Sequence, residues 1–325
     1  MSDHAAPRFV VTNRMPGAAV EMLEAAGEVV YLDVESPPSR ERLMEAVAGA
    51  TVVLTMLSDR VDEELFAAAG EGLRCVCNVA VGFDNVDLAA AARRGVAVTN
   101  TPGVLDDATA DLAMALILAA SRRIVEGDRL VRSGEPWRWG MTFMLGRDLR
   151  GRTLGVLGLG KIGAKVAERA RSFGMEIAYS GRHPAEVADR LDARRLSLDE
   201  LLESADVLTL HCPLTDETRH LIGAAELALM KPTAALVNAA RGPVVDEAAL
   251  VEALRSGQIA AAGLDVYEDE PRVHPDLLVM ENVTMTPHLG SATVETREAM
   301  AELAARNAIA AARGEPLITP VPLPG

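Results

Sequence analysis

The chain has 325 residues, 49% of them hydrophobic and 24% charged. That is an ordinary globular balance, which excludes wholesale disorder and predicts about two domains. Lys and Arg number 32 against 47 Asp and Glu, a net charge of −15, so the surface repels nucleic acid and anionic lipid and leaves room only for a local basic pocket. No window approaches about 18 uncharged apolar residues, and no apolar stretch near the N-terminus is long enough for a signal peptide. The expectation is a soluble, cytoplasmic protein without a membrane or nucleic-acid partner.

In chain order, a β-branched run at 9–12 predicts a strand, 18–26 an amphipathic helix and 29–32 a second strand. Residues 40–48 read as a helix. Residues 51–56 are a continuous apolar run of the buried parallel type. A helix at 62–69, a strand at 73–79, a helix at 88–94 and a strand at 96–99 follow. This short-spaced alternation predicts a parallel sheet with helices on both faces. Cys75 and Cys77 alternate along one strand and face one side as core thiols. With Cys212 they form an odd set of three, without a CxxC, so no disulfide or metal site is predicted.

Thr101-Pro102-Gly103 interrupts the rhythm. Residues 106–132 then read as one long helix connecting two domains. The irregular stretch 137–151 holds Trp137 and Trp139, which are expected to pack at a domain or subunit seam. A second series follows, with strands at 153–157, 176–180, 207–210, 234–238, 261–265 and 283–286, six in all, as in a dinucleotide-binding sheet. An amphipathic helix at 294–313 is free to return to the first domain, and the Pro-rich tail 319–325 is expected to be a surface strap.

The strongest local motif is Gly158-Leu159-Gly160-Lys161-Ile162-Gly163, which follows a predicted strand and opens a helix. Gly158 permits the tight turn, Gly160 lets the backbone approach a pyrophosphate, and Gly163 lets helix and strand pack closely. The helix N-terminus offers unpaired N–H groups to the phosphates. The next strand ends Tyr179-Ser180-Gly181-Arg182-His183, without the acid that would hold a ribose 2′-hydroxyl. Ser180 and Arg182 instead suit a 2′-phosphate, so NADPH is expected, with NADH as the weaker alternative.

Ligands of open α/β sheets bind beyond the carboxyl ends of the strands. Arg241 follows the strand at 234–238, Glu270 the strand at 261–265, and His288 the strand at 283–286. The other histidines, His4, His183, His211, His220 and His274, read as structural. A planar guanidinium fork suits a carboxylate and a ketone oxygen. An imidazole donates a proton near neutral pH, and an adjacent carboxylate favours its charged form.

Together the segments VAVGFDNVDL (79–88), TPGVLDDATADLA (101–113), VLGLGKIG (156–163), HCPLT (211–215), VNAARGPVVDE (237–247), AAGLDVYEDEP (261–271) and TPHLGSAT (286–293) resemble the D-isomer-specific 2-hydroxyacid dehydrogenases, within them the glyoxylate/hydroxypyruvate reductases. The resemblance spans nearly the whole chain. It implies an α/β fold of two doubly wound parallel-sheet domains. A Rossmann cofactor domain, 101–288, is inserted in a flavodoxin-like substrate domain, 1–100 plus 289–325, with the active cleft between them. It further implies catalysis by Arg241, Glu270 and His288. Substrate binding falls to Val81 and Gly82 backbone, Leu57 and Arg241. Cofactor contacts fall to Gly158, Leu159, Gly160, Lys161, Ile162, Ser180, Gly181, Arg182, Cys212, Pro213, Ala239, Ala240, Arg241, Asp265, His288, Gly290 and Thr109. The implied reaction is NADPH-dependent reduction of a small 2-oxo acid, glyoxylate or hydroxypyruvate, by a homodimer. The alternatives are an NAD-linked dehydrogenase of D-lactate or phosphoglycerate type and a nucleotide-sensing binding module.

Overall fold

The computed structural model describes residues 6–181 and 185–324. Arg182, His183 and His4 therefore lie outside the described residues. The chain divides into two units, one taking residues up to 105 and from 291 onward, the other taking 106–290.

In the first unit β1 (Arg8–Val11), β2 (Glu28–Tyr31), β3 (Val52–Thr55), β4 (Cys75–Asn78) and β5 (Ala97–Thr99) form one parallel sheet in the order β2-β1-β3-β4-β5. This is the flavodoxin order. β3 and β4 are buried at every residue, because helices cover both faces and leave no polar side to alternate with. On one face Val11, Leu54, Cys75 and Cys77 pack against Ala301, Ala304, Ala305 and Ala308 of the helix Val294–Arg313. A row of alanines lets that helix lie close to the sheet. Cys75 and Cys77 share the face with their sulfurs 3.7 Å apart. On the other face Val10, Val53, Val76 and Val98 meet Leu43, Leu65, Phe66 and Ala90 of three helices. The tail differs from the expected surface strap. Pro320 bridges Thr99 at the β5 edge, and Val321 is buried, its N–H donating to the Val98 carbonyl.

The second unit carries β6 (Thr153–Leu157), β7 (Glu176–Ser180), β8 (Arg194–Arg195), β9 (Val207–Leu210), β10 (Ala235–Asn238), β11 (Ala261–Leu264) and β12 (Val283–Met285), all parallel, in the order β12-β11-β10-β9-β6-β7-β8. The run from β8 to β11 is the dinucleotide-binding order, and β12 extends it. The sheet thus has seven strands, one more than expected. The extra strand is the exposed two-residue edge β8, which carries no apolar signature.

The expected single helix at 106–132 is two, Asp106–Arg122 and Ile124–Ser133, broken where Arg123 takes a left-handed φ of 54°. The first helix buries Ala110, Ala113, Leu116 and Ile117 against the sheet, whereas the second buries none of its residues. Trp137 and Trp139 follow it and are exposed, Trp139 at 80%. Among the described residues no helix is long and apolar enough to cross a membrane.

Candidate active site

The glycine turn lies between β6 and the helix Lys161–Ser172. Gly158 has a φ of +94°, and a Cβ there would stand 2.7 Å from the Cys212 nitrogen, on the loop after β9. A Cβ on Gly163 would stand 2.3 Å from the Gly158 carbonyl oxygen, so only glycine lets this helix start so near its strand. Gly160, in contrast, faces open space and caps the helix with no side-chain bond. The open amides at a helix start suit a pyrophosphate, so the turn fits a dinucleotide. Leu159 is buried in the core and Ile162 packs against it. Leu159 can therefore offer a ligand only its backbone, whereas Lys161 is exposed. Ser180 ends β7, its carbonyl accepting from Gly158 N–H at 3.0 Å, and Gly181 follows at φ +126°.

The loop after β9 starts at His211, whose Nε2 bonds Thr209 at 2.9 Å. Burial pushes its pKa down to about 4, so it stays neutral and no general acid is made there. Burial likewise pushes the Cys212 thiol up to about 11, which removes it from thiolate chemistry. Pro213 is tied through its carbonyl to the Thr218 hydroxyl at 2.7 Å.

Arg241, Glu270 and His288 follow three adjacent strands, β10, β11 and β12. His288 Nδ1 lies 2.8 Å from Glu270 Oε2. The other Glu270 oxygen accepts from the Tyr267 amide at 3.0 Å. Burial alone would raise the Glu270 pKa. The hydrogen bond and charge of His288, the Tyr267 amide and the charge of Arg241 outweigh it and hold the carboxyl below its ordinary value. Arg241 gives one N–H to the Ala240 carbonyl at 2.8 Å. Its own carbonyl accepts from Asn238 at 2.9 Å, and Asn238 also takes the Ala240 amide at 3.0 Å.

His288 is held in the left-handed region, φ +54°, a conformation that costs energy for a non-glycine residue and marks an over-determined site. Asp265 supplies the restraint. Its backbone carbonyl accepts from His288 N–H at 2.9 Å. Its buried carboxylate takes the Leu289 amide at 2.7 Å, the Gly290 amide at 2.8 Å and the Thr286 hydroxyl at 2.6 Å. The Asp265 side chain thus braces the histidine loop. Thr109 packs beside Gly290 and Asp265.

Sequence reasoning missed a second brace. A Cβ on Gly242 would sit 1.8 Å from the Tyr267 carbonyl oxygen, so the segment after Arg241 lies flat on the Glu270 loop. Glu247 accepts the Glu268 amide at 2.7 Å, and Glu268 takes the Glu247 amide at 3.3 Å in return. Glu268 also meets His220 Nε2 at 2.6 Å. Burial, despite the Glu268 amide it accepts, leaves the Glu247 pKa raised. The partners are 21 residues apart, and no linear motif marks them; the nearest signal is Asp246 capping the helix Glu247–Ser256. His274 accepts the Asp276 amide at 3.3 Å as a helix cap. Among the described residues no group of three His, Cys, Asp or Glu could hold a metal ion.

In the first unit, Leu57 stands just beyond β3, and Val81 and Gly82 stand in the loop after β4, all three half-buried at the carboxyl edge of that sheet.

The profile described as D-isomer specific 2-hydroxyacid dehydrogenase, NAD binding domain, matches residues 114–290. A glyoxylate reductase of Thermococcus onnurineus is 49% identical over 315 residues, 95% of this chain and 94% of the relative. A glyoxylate reductase of Aeropyrum pernix is 50% identical over 316 residues, again 95% of this chain and 94% of the relative. The crystal structure of an NADPH-dependent glyoxylate/hydroxypyruvate reductase from Sinorhizobium meliloti, in complex with NADP and malonate, is similar with a TM-score of 0.84 and 36% identity, covering 98% of this chain and 97% of that one.

Proposed function

Because the chain belongs to the D-isomer specific 2-hydroxyacid dehydrogenases, we propose that it reduces glyoxylate and hydroxypyruvate to glycolate and D-glycerate with NADPH, His288 donating the proton. The observation that carries this reading is the 2.8 Å contact of His288 Nδ1 with Glu270. With Nδ1–H given to the carboxylate, Nε2 is the ring nitrogen left to hold a transferable proton. Glu270 holds the ring through Nδ1 and so fixes which nitrogen faces the substrate. Arg241 offers a planar fork to the substrate carboxylate and ketone oxygen, and its charge opposes the alkoxide that develops at the carbonyl. When bound, the nicotinamide supplies the hydride. Gly158, Gly160 and the amides of Lys161 and Ile162 would hold its pyrophosphate.

NADPH is favoured over NADH because β7 ends in Ser180 where an acid would repel a 2′-phosphate. The relative from Sinorhizobium meliloti, bound to NADP, agrees with this choice. The test crosses glyoxylate, hydroxypyruvate, pyruvate and phosphohydroxypyruvate against NADPH and NADH in initial-rate assays. Fast turnover of the first two with NADPH is expected. Turnover with NADH alone would overturn the cofactor assignment, and no turnover with any pair would overturn the reaction.

We read the protein as a homodimer. The helix Ile124–Ser133 buries nothing, and Trp137, Trp139 at 80% exposure and Met141 at 81% follow it. Such an apolar run needs cover. A sedimentation mass of one 34.4 kDa chain at micromolar concentration would reject the dimer. Three free thiols fit a reducing, cytoplasmic setting.

A further inference from the structure

We propose that His220 is a positioning residue: through Glu268 it joins the loop after β9 to the turn 267–270, and so holds the Glu270 carboxylate in place for His288. This deepens the reductase reading and rests on it for the roles of Glu270 and His288. From the sequence alone His220 reads as structural.

The contact with His288 touches only the tip of the Glu270 side chain. The turn beneath it sets where that carboxylate stands. One end of the turn is fixed by buried Tyr267, whose amide donates to Glu270 Oε1 at 3.0 Å and whose hydroxyl donates to the Thr286 carbonyl at 3.0 Å. The next residue, Glu268, spends its carboxylate on other segments. Oε2 accepts from the Glu247 amide at 3.3 Å, and Oε1 meets His220 Nε2 at 2.6 Å. A carboxylate only accepts, so Nε2 carries the proton and donates.

His220 is itself held. Its φ of +52° is costly for a non-glycine residue and persists where the surroundings over-determine it. Its amide donates to the Pro243 carbonyl at 2.8 Å, and the Ile222 amide to the Val244 carbonyl at 3.1 Å. The Asp246 amide returns a bond to the Ile222 carbonyl at 3.1 Å. These bonds stitch the loop to the segment just after Arg241. At the other end, the Thr218 hydroxyl accepts from the Thr215 amide at 2.8 Å and donates to the Pro213 carbonyl at 2.7 Å. The loop 213–222 is thus fixed at both ends and presents the His220 ring at a set place. β9, β10 and β11 are neighbours in the sheet. His220, Gly242 and Glu268 therefore meet beyond the carboxyl ends of three adjacent strands. A Cβ on Gly242 would stand 2.5 Å from the Glu268 nitrogen, which shows how closely those segments lie.

A lone ion pair with side chains 43% and 33% exposed does little for stability, because ordering two long side chains cancels the attraction. Here much of that ordering is already done. Glu268 is tied to Glu247 through its amide at 2.7 Å and through its second oxygen, and the His220 backbone is tied to Pro243. The contact therefore sets position more than it adds stability, and its loss should show in rate.

The test is His220→Ala with His220→Gln beside it, because a glutamine amide places an N–H close to the position of Nε2. In His220→Ala, kcat at saturating glyoxylate and NADPH should fall about fivefold, since a loosened Glu270 misplaces the acid. The NADPH KM should stay at the wild-type value, because Thr218 still holds Pro213 and the turn Gly158–Gly163 is untouched. His220→Gln should recover most of the lost kcat. Amide hydrogen exchange over residues 267–270, read by mass spectrometry without NADPH, should quicken in the alanine variant and not in the glutamine variant, with β6 and β7 unmoved in both. Should His220→Ala not fold, His220→Phe keeps a ring without a donor and should give the same result. A folded variant without the donor but with wild-type kcat, an NADPH KM that rises as kcat falls, no recovery in His220→Gln, or unmoved exchange over 267–270 would each overturn the proposal. A wild-type protein that turns over no oxo acid would instead sink the reductase reading, and the exchange measurement would still decide whether His220 sets the turn.

Discussion

Replacing His288 with alanine should cut kcat by roughly a hundred- to ten-thousand-fold, the range lost when a positioned general acid is removed. NADPH binding, measured by calorimetry, should persist, because the turn Gly158–Gly163 is built by β6 and its helix, and the His288 side chain has no part in it. The loop should also keep its shape. The bonds that hold it run from the 288, 289 and 290 amides to Asp265, and alanine retains all three. A folded His288→Ala protein with near-normal turnover would remove the proton-donor assignment.

Glu270→Gln probes the same pair through pH. The wild-type carboxyl titrates below its ordinary value, so its bond with His288 stabilises the fold above the usual carboxylate range and fades as pH falls through the lowered pKa. Glutamine should flatten that acid dependence of the melting temperature. In catalysis glutamine keeps a hydrogen-bond partner for His288 but removes the charge, so kcat should fall about tenfold while the NADPH KM stays at the wild-type value. An unchanged kcat would show that Glu270 does not support the acid.

The strand ends that carry these groups were legible because buried parallel strands read as short apolar runs, and the residues that follow them are polar and distinctive. β3, β4, β9, β10 and β11 are buried at every position, and Arg241 and Glu270 come within a few residues of such runs. β8 was not legible. Arg194 and Arg195 are exposed and charged, and they form a strand only because β7 presents an open edge to them. The break at Arg123 was hidden for a related reason. Apolar residues continue on both sides of it, and neither glycine nor proline marks the left-handed residue. Val321 was misread because a proline-rich tail looks like solvent-facing chain, whereas its place is set by the β5 edge.

The supports of the site were invisible for a deeper reason. Glu247 and Glu268 are 21 residues apart, as are Asp265 and Thr286, and Thr12 and Asp59 are 47 apart. Each pair meets only once the crossovers have brought their strand ends side by side, one from β10 to β11 or β11 to β12 and two from β1 to β3. A sequence reading can name residues whose chemistry is unusual, such as a histidine in TPHLGSAT. It has no purchase on a carboxylate whose task is to accept one distant amide. Asp265 shows the difference. The resemblance gives it a role toward the nicotinamide, and the structure adds one that no motif announced, its carboxylate accepting from Thr286, Leu289 and Gly290.

Arg241→Lys separates charge from shape. The lysine keeps a positive charge near Glu270, where the Arg241 charge helps hold the carboxyl down, so the pH profile should keep its form. What is lost is the planar fork. An ammonium cannot bind a carboxylate through two parallel N–H groups. Losing one charge-assisted hydrogen bond costs about 1.5–3 kcal/mol, which corresponds to a fall in kcat/KM of roughly ten- to a hundredfold. The Arg241 N–H that meets the Ala240 carbonyl at 2.8 Å fixes the plane of the guanidinium, and lysine has no equivalent of that plane. The loss should therefore appear in kcat as well as KM, since a misaligned ketone is also a poor target for the hydride. Arg241→Met, which removes fork and charge together, should fall further and should also shift the acid limb towards higher pH, because Glu270 loses a charge that lowers its pKa. A lysine variant as active as the wild type would show that charge alone suffices at this position, and the fork would then have no part in the reaction.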